Sequence, residues 1–138
     1  MDNSKFPIFF IIDRNPIHSS LIKYHLNVNR FLNVRVFQSG EECIYRLSKN
    51  PAPDFLITDY DVGDYNGFDF LKKIREISPG IRVIFFSSCD DPILAVRLLE
   101  AGASDYLVKT SKLDIGISEL VKNVKYLSRE EVQVKEIF

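Results

Sequence analysis

The chain of 138 residues has the length of one ordinary domain and is long enough to bury a hydrophobic core. Its composition, 46% hydrophobic and 27% charged, excludes a disordered chain, and its formal net charge of -1 provides no field that would attract nucleic acid or an anionic membrane. No apolar run approaches the roughly 20 residues that span a bilayer, and residues 1–7 lack the apolar core of a signal peptide, so we expect a cytoplasmic protein without a membrane segment.

The chain begins with a continuous apolar run. Residues 6–12 (FPIFFII) predict a strand that is covered on both faces. Pro16 then stands where a helix can begin. Apolar residues follow at helical spacing and predict the buried side of this helix: Ile17, Leu21, Tyr24 and Val28.

A second strand and helix follow. Residues 34–37 (VRVF) predict the strand, and Ser39 with Glu42 three residues later predicts a capping box at the start of the helix. The apolar side of this helix comprises Cys43, Ile44 and Leu47. Residues 50–53 (NPAP) break the pattern.

The middle of the chain repeats the alternation. Residues 54–58 (DFLIT) predict a third strand, and residues 81–86 (IRVIFF) predict a fourth. The helix between them is predicted over residues 68–77, with its apolar side on Phe68, Leu71, Ile74 and Ile77.

The last third completes five strand-and-helix units. A fourth helix is predicted from an N-cap at Asp91 to the residue before Gly102. Residues 105–108 predict a short fifth strand, and residues 113–127 a fifth helix. Alternation of this kind predicts an α/β domain over residues 1–127, with a parallel sheet covered by helices on both faces. Residues 128–138 form a charged tail that either extends the last helix or begins a linker.

Polar side chains of several types follow the predicted strands. Asp13 comes after the first strand, Asp59 after the third, Ser87 after the fourth and Lys109 after the fifth. Ligands of open parallel sheets bind beyond the carboxyl ends of the strands. We therefore expect two carboxylates, a hydroxyl and an amine to converge at one edge of the sheet.

Residue types that are common in metal sites are sparse elsewhere. Cys43 and Cys89 lack metal-like spacing, and we expect reduced thiols. His18 and His25 are seven residues apart on one helix, where we expect ordinary surface residues.

Four segments together resemble the receiver domains of two-component response regulators. They are residues 9–16 (FFIIDRNP), 53–75 (PDFLITDYDVGDYNGFDFLKKIR), 83–88 (VIFFSS) and 102–109 (GASDYLVK). The resemblance implies a doubly wound, flavodoxin-like fold with five parallel strands in the order 2-1-3-4-5. It also implies a signalling module rather than an enzyme, whose only chemistry is its own phosphorylation and dephosphorylation.

The resemblance assigns roles to the strand-end residues. Asp59 matches the phosphoacceptor, which takes a phosphoryl group from a sensor histidine kinase or a phosphotransfer protein. Lys109 and Ser87 match the residues that bind the phosphoryl oxygens, and Tyr106 matches the aromatic switch. From the residues alone, Tyr106 is also compatible with a plain core aromatic, and Asp61 and Asp64 with solvated loop acids.

The metal site implied by the resemblance is altered in this chain. Asp13, Asp59 and Asp61 match positions that hold Mg²⁺, but Arg14 stands where the family has a second acid. A hard cation prefers anionic oxygens, so we expect Mg²⁺ binding to be weak, with Asp61 or Asn15 as replacement ligands. Gly63, Asn66 and Thr110 also depart from the usual proline, aspartate and proline.

These departures leave two hypotheses open. In the first, Arg14 replaces part of the charge of the metal and Asp59 is still phosphorylated. In the second, the domain is a pseudo-receiver that works by protein contact alone. Either form would act on a downstream effector or output domain. A homodimer formed through the face of the fourth helix, fifth strand and fifth helix is a further open alternative.

Two other classes of function are disfavoured. A flavin or nucleotide enzyme on this scaffold needs a glycine-rich or hydroxyl-rich loop after the first strand, and residues 13–16 (DRNP) contain no glycine. A DNA-binding regulator needs a basic surface or a helix-turn-helix pattern, and we find neither, so we expect no direct contact of this domain with nucleic acid.

Overall fold

A computed structural model describes residues 6–49 and 52–137, which form five parallel strands and five helices in strict alternation. The elements are β1 Phe9–Ile12, α1 Pro16–Val28, β2 Val34–Phe37, α2 Gly40–Leu47, β3 Phe55–Thr58, α3 Gly67–Ile77, β4 Arg82–Ser87, α4 Pro92–Glu100, β5 Asp105–Val108 and α5 Leu113–Ile137. The strand order is β2-β1-β3-β4-β5, so the predicted fold class and order are confirmed. Two predictions fall partly outside the described residues. They are the prediction for residues 1–7, at residues 1–5, and the predicted break over residues 50–53, at residues 50 and 51.

The alternation of side chains along the central strands divides the core into two layers. Phe10 and Ile12 of β1 face α2, α3 and α4, whereas Phe9 and Ile11 face α1 and α5. Strands β1 and β3 are buried at every position because helices cover both faces of the sheet. The continuous apolar runs of the sequence therefore correspond to strands without a solvent face.

Helix α1 buries a different face from the one that its sequence predicts. Ile17, Tyr24 and Val28 are 62–68% exposed. The buried positions are instead Ser19, Ile22 and Leu26, of which the two apolar ones pack under α5 and the sheet. The prediction was wrong for Ile17, Tyr24 and Val28, whereas Leu21 packs partly buried against the core. Both faces carry apolar residues at helical spacing, and spacing alone does not choose between them.

Side-chain caps fix where four of the helices begin. Asn15, Ser39, Asn66 and Asp91 each accept hydrogen bonds from N–H groups of the following first turn. The caps at Ser39 and Asp91 were predicted. Asn66, which departs from the family pattern, accepts from the Asp69 N–H at 2.9 Å, so an amide serves here as a cap as a carboxylate would.

Helix α5 continues past the predicted end of the domain. It runs through Ile137, so the tail extends the helix. Arg82 at the start of β4 donates to the carbonyl oxygen of Leu127 at 2.6 Å, close to the last turn that packs on the sheet. The division between domain and tail at residue 127 stays a prediction. Among residues 6–49 and 52–137, no helix combines the length and apolarity that a membrane span requires.

The assignment of the buried face of α1 predicts unequal effects of two identical substitutions. Ile22→Ala removes a side chain that is 1% exposed and should lower the free energy of unfolding by about 2–5 kcal/mol. Ile17→Ala, on the same helix but 68% exposed, should change it by less than about 0.5 kcal/mol. Urea unfolding followed by circular dichroism measures both, and equal losses would contradict the assignment.

Candidate functional site

Backbone hydrogen bonds position the strand-end residues. The ladder of the sheet continues one residue beyond the strands: the N–H of Asp59 donates to Ile12 O at 3.1 Å, and that of Lys109 donates to Ser87 O at 2.7 Å. The N–H of Asp13 likewise donates to Phe37 O at 3.2 Å. These three residues are therefore held as rigidly as the strands that precede them.

The side chains of these residues meet at the ammonium of Lys109. Its Nζ lies 2.6 Å from Asp13 Oδ2 and 3.0 Å from Asp59 Oδ2. The side chains of Lys109 and Asp13 are 5% and 4% exposed, whereas that of Asp59 is 20% exposed. Two carboxylates and one ammonium leave the cluster with a net negative charge, and Asp59 is its accessible member.

The second oxygen of each carboxylate is held by the backbone. Asp13 Oδ1 accepts from the Asn15 N–H at 2.8 Å, and Asp59 Oδ1 accepts from the Tyr60 N–H at 2.7 Å. Such hydrogen bonds fix the orientation of each carboxylate plane. The acids are preorganised before any ligand arrives.

An open cleft of about 750 Å³ lies above this cluster. Its lining includes the predicted residues Asp13, Asp59, Ser87 and Lys109, so the structure brings together all four strand-end side chains. Ser87, which is 2% exposed, accepts a hydrogen bond at Oγ from the Cys89 N–H at 3.2 Å. The hydroxyl is thus tied to the loop that follows β4.

Tyr106 lies against the same loop. Its ring stacks on Phe85 at 6.1 Å between centroids, and its hydroxyl donates to Cys89 O at 2.6 Å. Burial raises the pKa of Tyr106 to about 12, an effect that a hydrogen bond to Ser87 partly offsets. Tyr106 therefore touches both the core and the loop after β4.

Arg14 does not point into the carboxylate cluster. Its side chain is 59% exposed and pairs with Asp61, with 3.5 Å between Nη1 and Oδ1. The same Asp61 oxygen accepts from the Gly63 N–H at 2.9 Å, in a turn where Gly63 has φ +92. A Cβ at Gly63 would meet Arg14 at about 3.6 Å, an ordinary van der Waals contact, so the positive φ of the turn and not a lack of space favours glycine here.

This arrangement does not fit a dedicated magnesium site. Receiver domains generally bind Mg²⁺ at an acidic site, but across residues 6–49 and 52–137 no three His, Cys, Asp or Glu side chains are placed to share a metal ion. The Asp61 carboxylate is paired with Arg14, and the Asn15 side chain caps α1. Neither suggested replacement therefore joins Asp13 and Asp59.

Two residues have contacts that the sequence did not predict. His18 lines the cleft, and its Nδ1 lies 3.2 Å from Lys109 Nζ, so it is not an ordinary surface residue. Asp64 accepts from the N–H groups of Gly40 at 3.0 Å and Glu41 at 2.7 Å and so caps α2 across the sheet edge. The sequence did carry one signal for this role: His18 lies in the first turn of the helix that follows Asp13, an acid at the end of a strand.

A five-stranded parallel sheet in this order, with an acid pair and a lysine joined at its carboxyl edge, defines a receiver domain. The family profile for the response regulator receiver domain matches residues 9–125. The chain therefore belongs to the response regulator receiver domain family of two-component signal transduction. Proteins of this family are regulatory and interact with histidine kinases and effectors.

Individual relatives agree with this assignment. The two-component response regulator ORR11 of Oryza sativa is 33% identical over 105 residues, which are 75% of this chain and 71% of the relative. The transcriptional regulatory protein CssR of Bacillus subtilis is 31% identical over 135 residues, 96% of this chain but 58% of the relative. The receiver domain of the Francisella response regulator 1452 has a TM-score of 0.78 at 25% identity, covering 91% of this chain and 98% of that chain.

The shared ammonium predicts non-additive effects on stability. Lys109→Met leaves two carboxylates facing each other without a cation and should lower the free energy of unfolding by on the order of 3 kcal/mol. Adding Asp59→Asn should recover part of this loss, because the remaining repulsion disappears. Urea unfolding of the single and double variants gives the coupling, and strictly additive losses would argue against a shared cation.

Proposed function

We propose that Asp59 is the phosphoacceptor of this receiver domain and takes a phosphoryl group from a sensor histidine kinase or a phosphotransfer protein. The observation that carries the proposal is the unequal exposure of the two carboxylates on Lys109. Both carboxylates line the cleft, but Asp59 is 20% exposed, whereas Asp13 is only 4% exposed. A phosphodonor reaches the first carboxylate and not the second.

The transfer requires only positioned charges. A carboxylate oxygen of Asp59 forms a bond to phosphorus while the bond from phosphorus to the donor nitrogen breaks, and the donor imidazole leaves with that electron pair. Lys109 then donates to a phosphoryl oxygen, and the Ser87 hydroxyl supplies a second donor. Asp13 holds the ammonium in place throughout, since its own oxygen lies only 2.6 Å from Nζ.

The effect of phosphorylation passes through Ser87 and Tyr106. Both contact Cys89 in the loop after β4, through an accepted N–H bond and a donated O–H bond. A phosphoryl group that recruits the Ser87 hydroxyl alters that loop and the adjoining face of α4 and β5. This face exposes the apolar side chains that an effector, an output domain or a second copy of the domain would cover: Ile93, Val96, Leu99 and Val108.

An apolar surface beside the cleft supports a protein as the phosphodonor. Ile17, Tyr24 and Val28 are 62–68% exposed along α1, and the stripe begins next to Pro16 at the mouth of the cleft. A kinase domain that covers this stripe brings its phosphohistidine to Asp59.

Phosphorylation by a small donor tests the proposal without knowledge of the kinase. The protein should gain the mass of one HPO₃ group in acetyl phosphate, with and without Mg²⁺, because the acceptor and its cation are preorganised. Asp59→Asn should abolish the gain, and Asp114→Asn, at an acid that is 81% exposed and outside the cleft, serves as the matched control that retains it. The readout is intact-protein mass spectrometry.

The alternative function is that of a pseudo-receiver. Two observations favour it, because they remove usual metal ligands: Asp61 is paired with Arg14, and the part of the chain that the structure describes places no third acidic ligand with Asp13 and Asp59. No mass gain of the wild-type protein under any donor or metal condition would establish this alternative and refute the phosphoacceptor role.

We further propose that this domain binds Mg²⁺ more weakly than is normal for its family. Arg14 replaces an acidic ligand with a cation and also neutralises Asp61. Arg14→Asp should therefore raise Mg²⁺ affinity by on the order of tenfold or more, since it removes a positive charge and adds an anionic oxygen. Isothermal titration calorimetry measures the change. Arg30→Asp makes the same charge change beyond the C-terminal end of α1. An equal gain in Mg²⁺ affinity for that variant would show that net charge alone is responsible.

A further inference from the structure

The ammonium of Lys109 has three N–H donors and three acceptors. Asp13 Oδ2 and Asp59 Oδ2 are two of them, and the third is Nδ1 of His18 at 3.2 Å. Because the lysine side chain is only 5% exposed, water does not readily replace a missing acceptor. The imidazole thus completes the hydrogen bonding of the cation at the centre of the site.

The contact fixes the protonation of the imidazole. An ammonium group only donates, so Nδ1 of His18 accepts, and the ring proton resides on Nε2. His18 in this form is neutral. It anchors the lysine without adding to the negative charge that the two carboxylates already present to an incoming phosphodonor.

The fold holds the imidazole at this place. Asn15 Oδ1 accepts from the N–H groups of Ile17 at 2.9 Å and His18 at 3.3 Å and thereby fixes the first turn of α1. Asp13, which binds the same ammonium, lies two residues before this cap. A single segment, residues 13–18, therefore holds Lys109 from two sides.

We propose that His18 is a positioning residue for phosphoryl transfer to Asp59, acting through Lys109. The inference rests on the proposed role of Asp59 as the phosphoacceptor. When a phosphoryl group forms its bond to Asp59, the ammonium exchanges its bond to Oδ2 for one to a phosphoryl oxygen. Asp13 and His18 retain the other two N–H bonds, so the cation turns little during the transfer.

Two substitutions separate this role from simple packing. His18→Leu removes the acceptor and should slow phosphorylation by acetyl phosphate on the order of tenfold, the effect of one hydrogen bond to a charged group. His18→Asn carries a neutral oxygen at the position of Nδ1 and should restore most of the rate. His25→Leu is the matched control on the same helix and should leave the rate unchanged, because His25 pairs with Asp114 outside the cleft, at 3.7 Å.

A second measurement needs no phosphorylation. Long-range ¹H–¹⁵N correlation spectra of the two histidines, assigned with His25→Leu, should show His18 with a bare Nδ1 and a protonated Nε2 at mildly alkaline pH. Lys109→Met removes the hydrogen-bond donor to Nδ1 and should therefore shift the ¹⁵N resonance of His18 Nδ1, while the resonances of His25 stay unchanged. A proton on Nδ1 in the wild-type protein would overturn the proposal, whether or not the leucine variant folds.

The outcomes also separate this inference from the proposed function. If the wild-type protein and His18→Leu gain phosphate at equal rates, the role of His18 is refuted while that of Asp59 stands. If the wild-type protein never gains phosphate, the role of Asp59 is refuted, and the positioning role is refuted with it. Both proposals are supported if His18→Leu slows phosphorylation, His18→Asn restores most of the rate, and Nδ1 of His18 carries no proton.

Discussion

The buried ammonium of Lys109 is the interaction on which the site depends. It joins carboxylates that follow two different strands, and it comes from a third strand at the edge of the sheet. Without the cation, burial of Asp13 at 3% exposure would be costly, because an unpaired carboxylate is poorly solvated there. The position of the lysine therefore constrains the ends of β1, β3 and β5 together, and it also decides which carboxylate remains accessible to a donor.

Charge in the rest of the site is distributed around this cluster. Arg14 stands where a further acid is usual, but its charge is offset by Asp61 at the surface rather than by the buried carboxylates. The cluster thus keeps a net negative charge, while within residues 6–49 and 52–137 no third His, Cys, Asp or Glu side chain is placed to share a metal ion with the two carboxylates. The replacement of an acid by Arg14 therefore changes the charge at the exposed rim of the cleft more than the charge of the buried carboxylate cluster.

The sequence was informative where one physical effect dominated and uninformative where two competed. Continuous apolar runs gave the strands, because only strands covered on both faces need them, and the residues after the strands gave Asp13, Asp59, Ser87 and Lys109. The buried face of α1 was missed because apolar residues line both of its sides. The contact of His18 was missed for another reason: it depends on Lys109, a partner distant in sequence, which residue spacing does not encode.

The carboxylate of Asp64 links the loop after Asp59 to helix α2 by hydrogen bonds. Helix α2 has only 8 residues, and its first N–H groups are bonded to an acid that lies 24 residues further along the chain. The start of α2 therefore depends on this loop. Its first N–H groups keep the Asp64 carboxylate as their hydrogen-bond acceptor only while the loop stays in place. Any partner that lifts this loop would also fray the first turn of α2, so a disturbance beside the phosphoacceptor would be felt at the β2 edge, far from the effector face of α4 and β5.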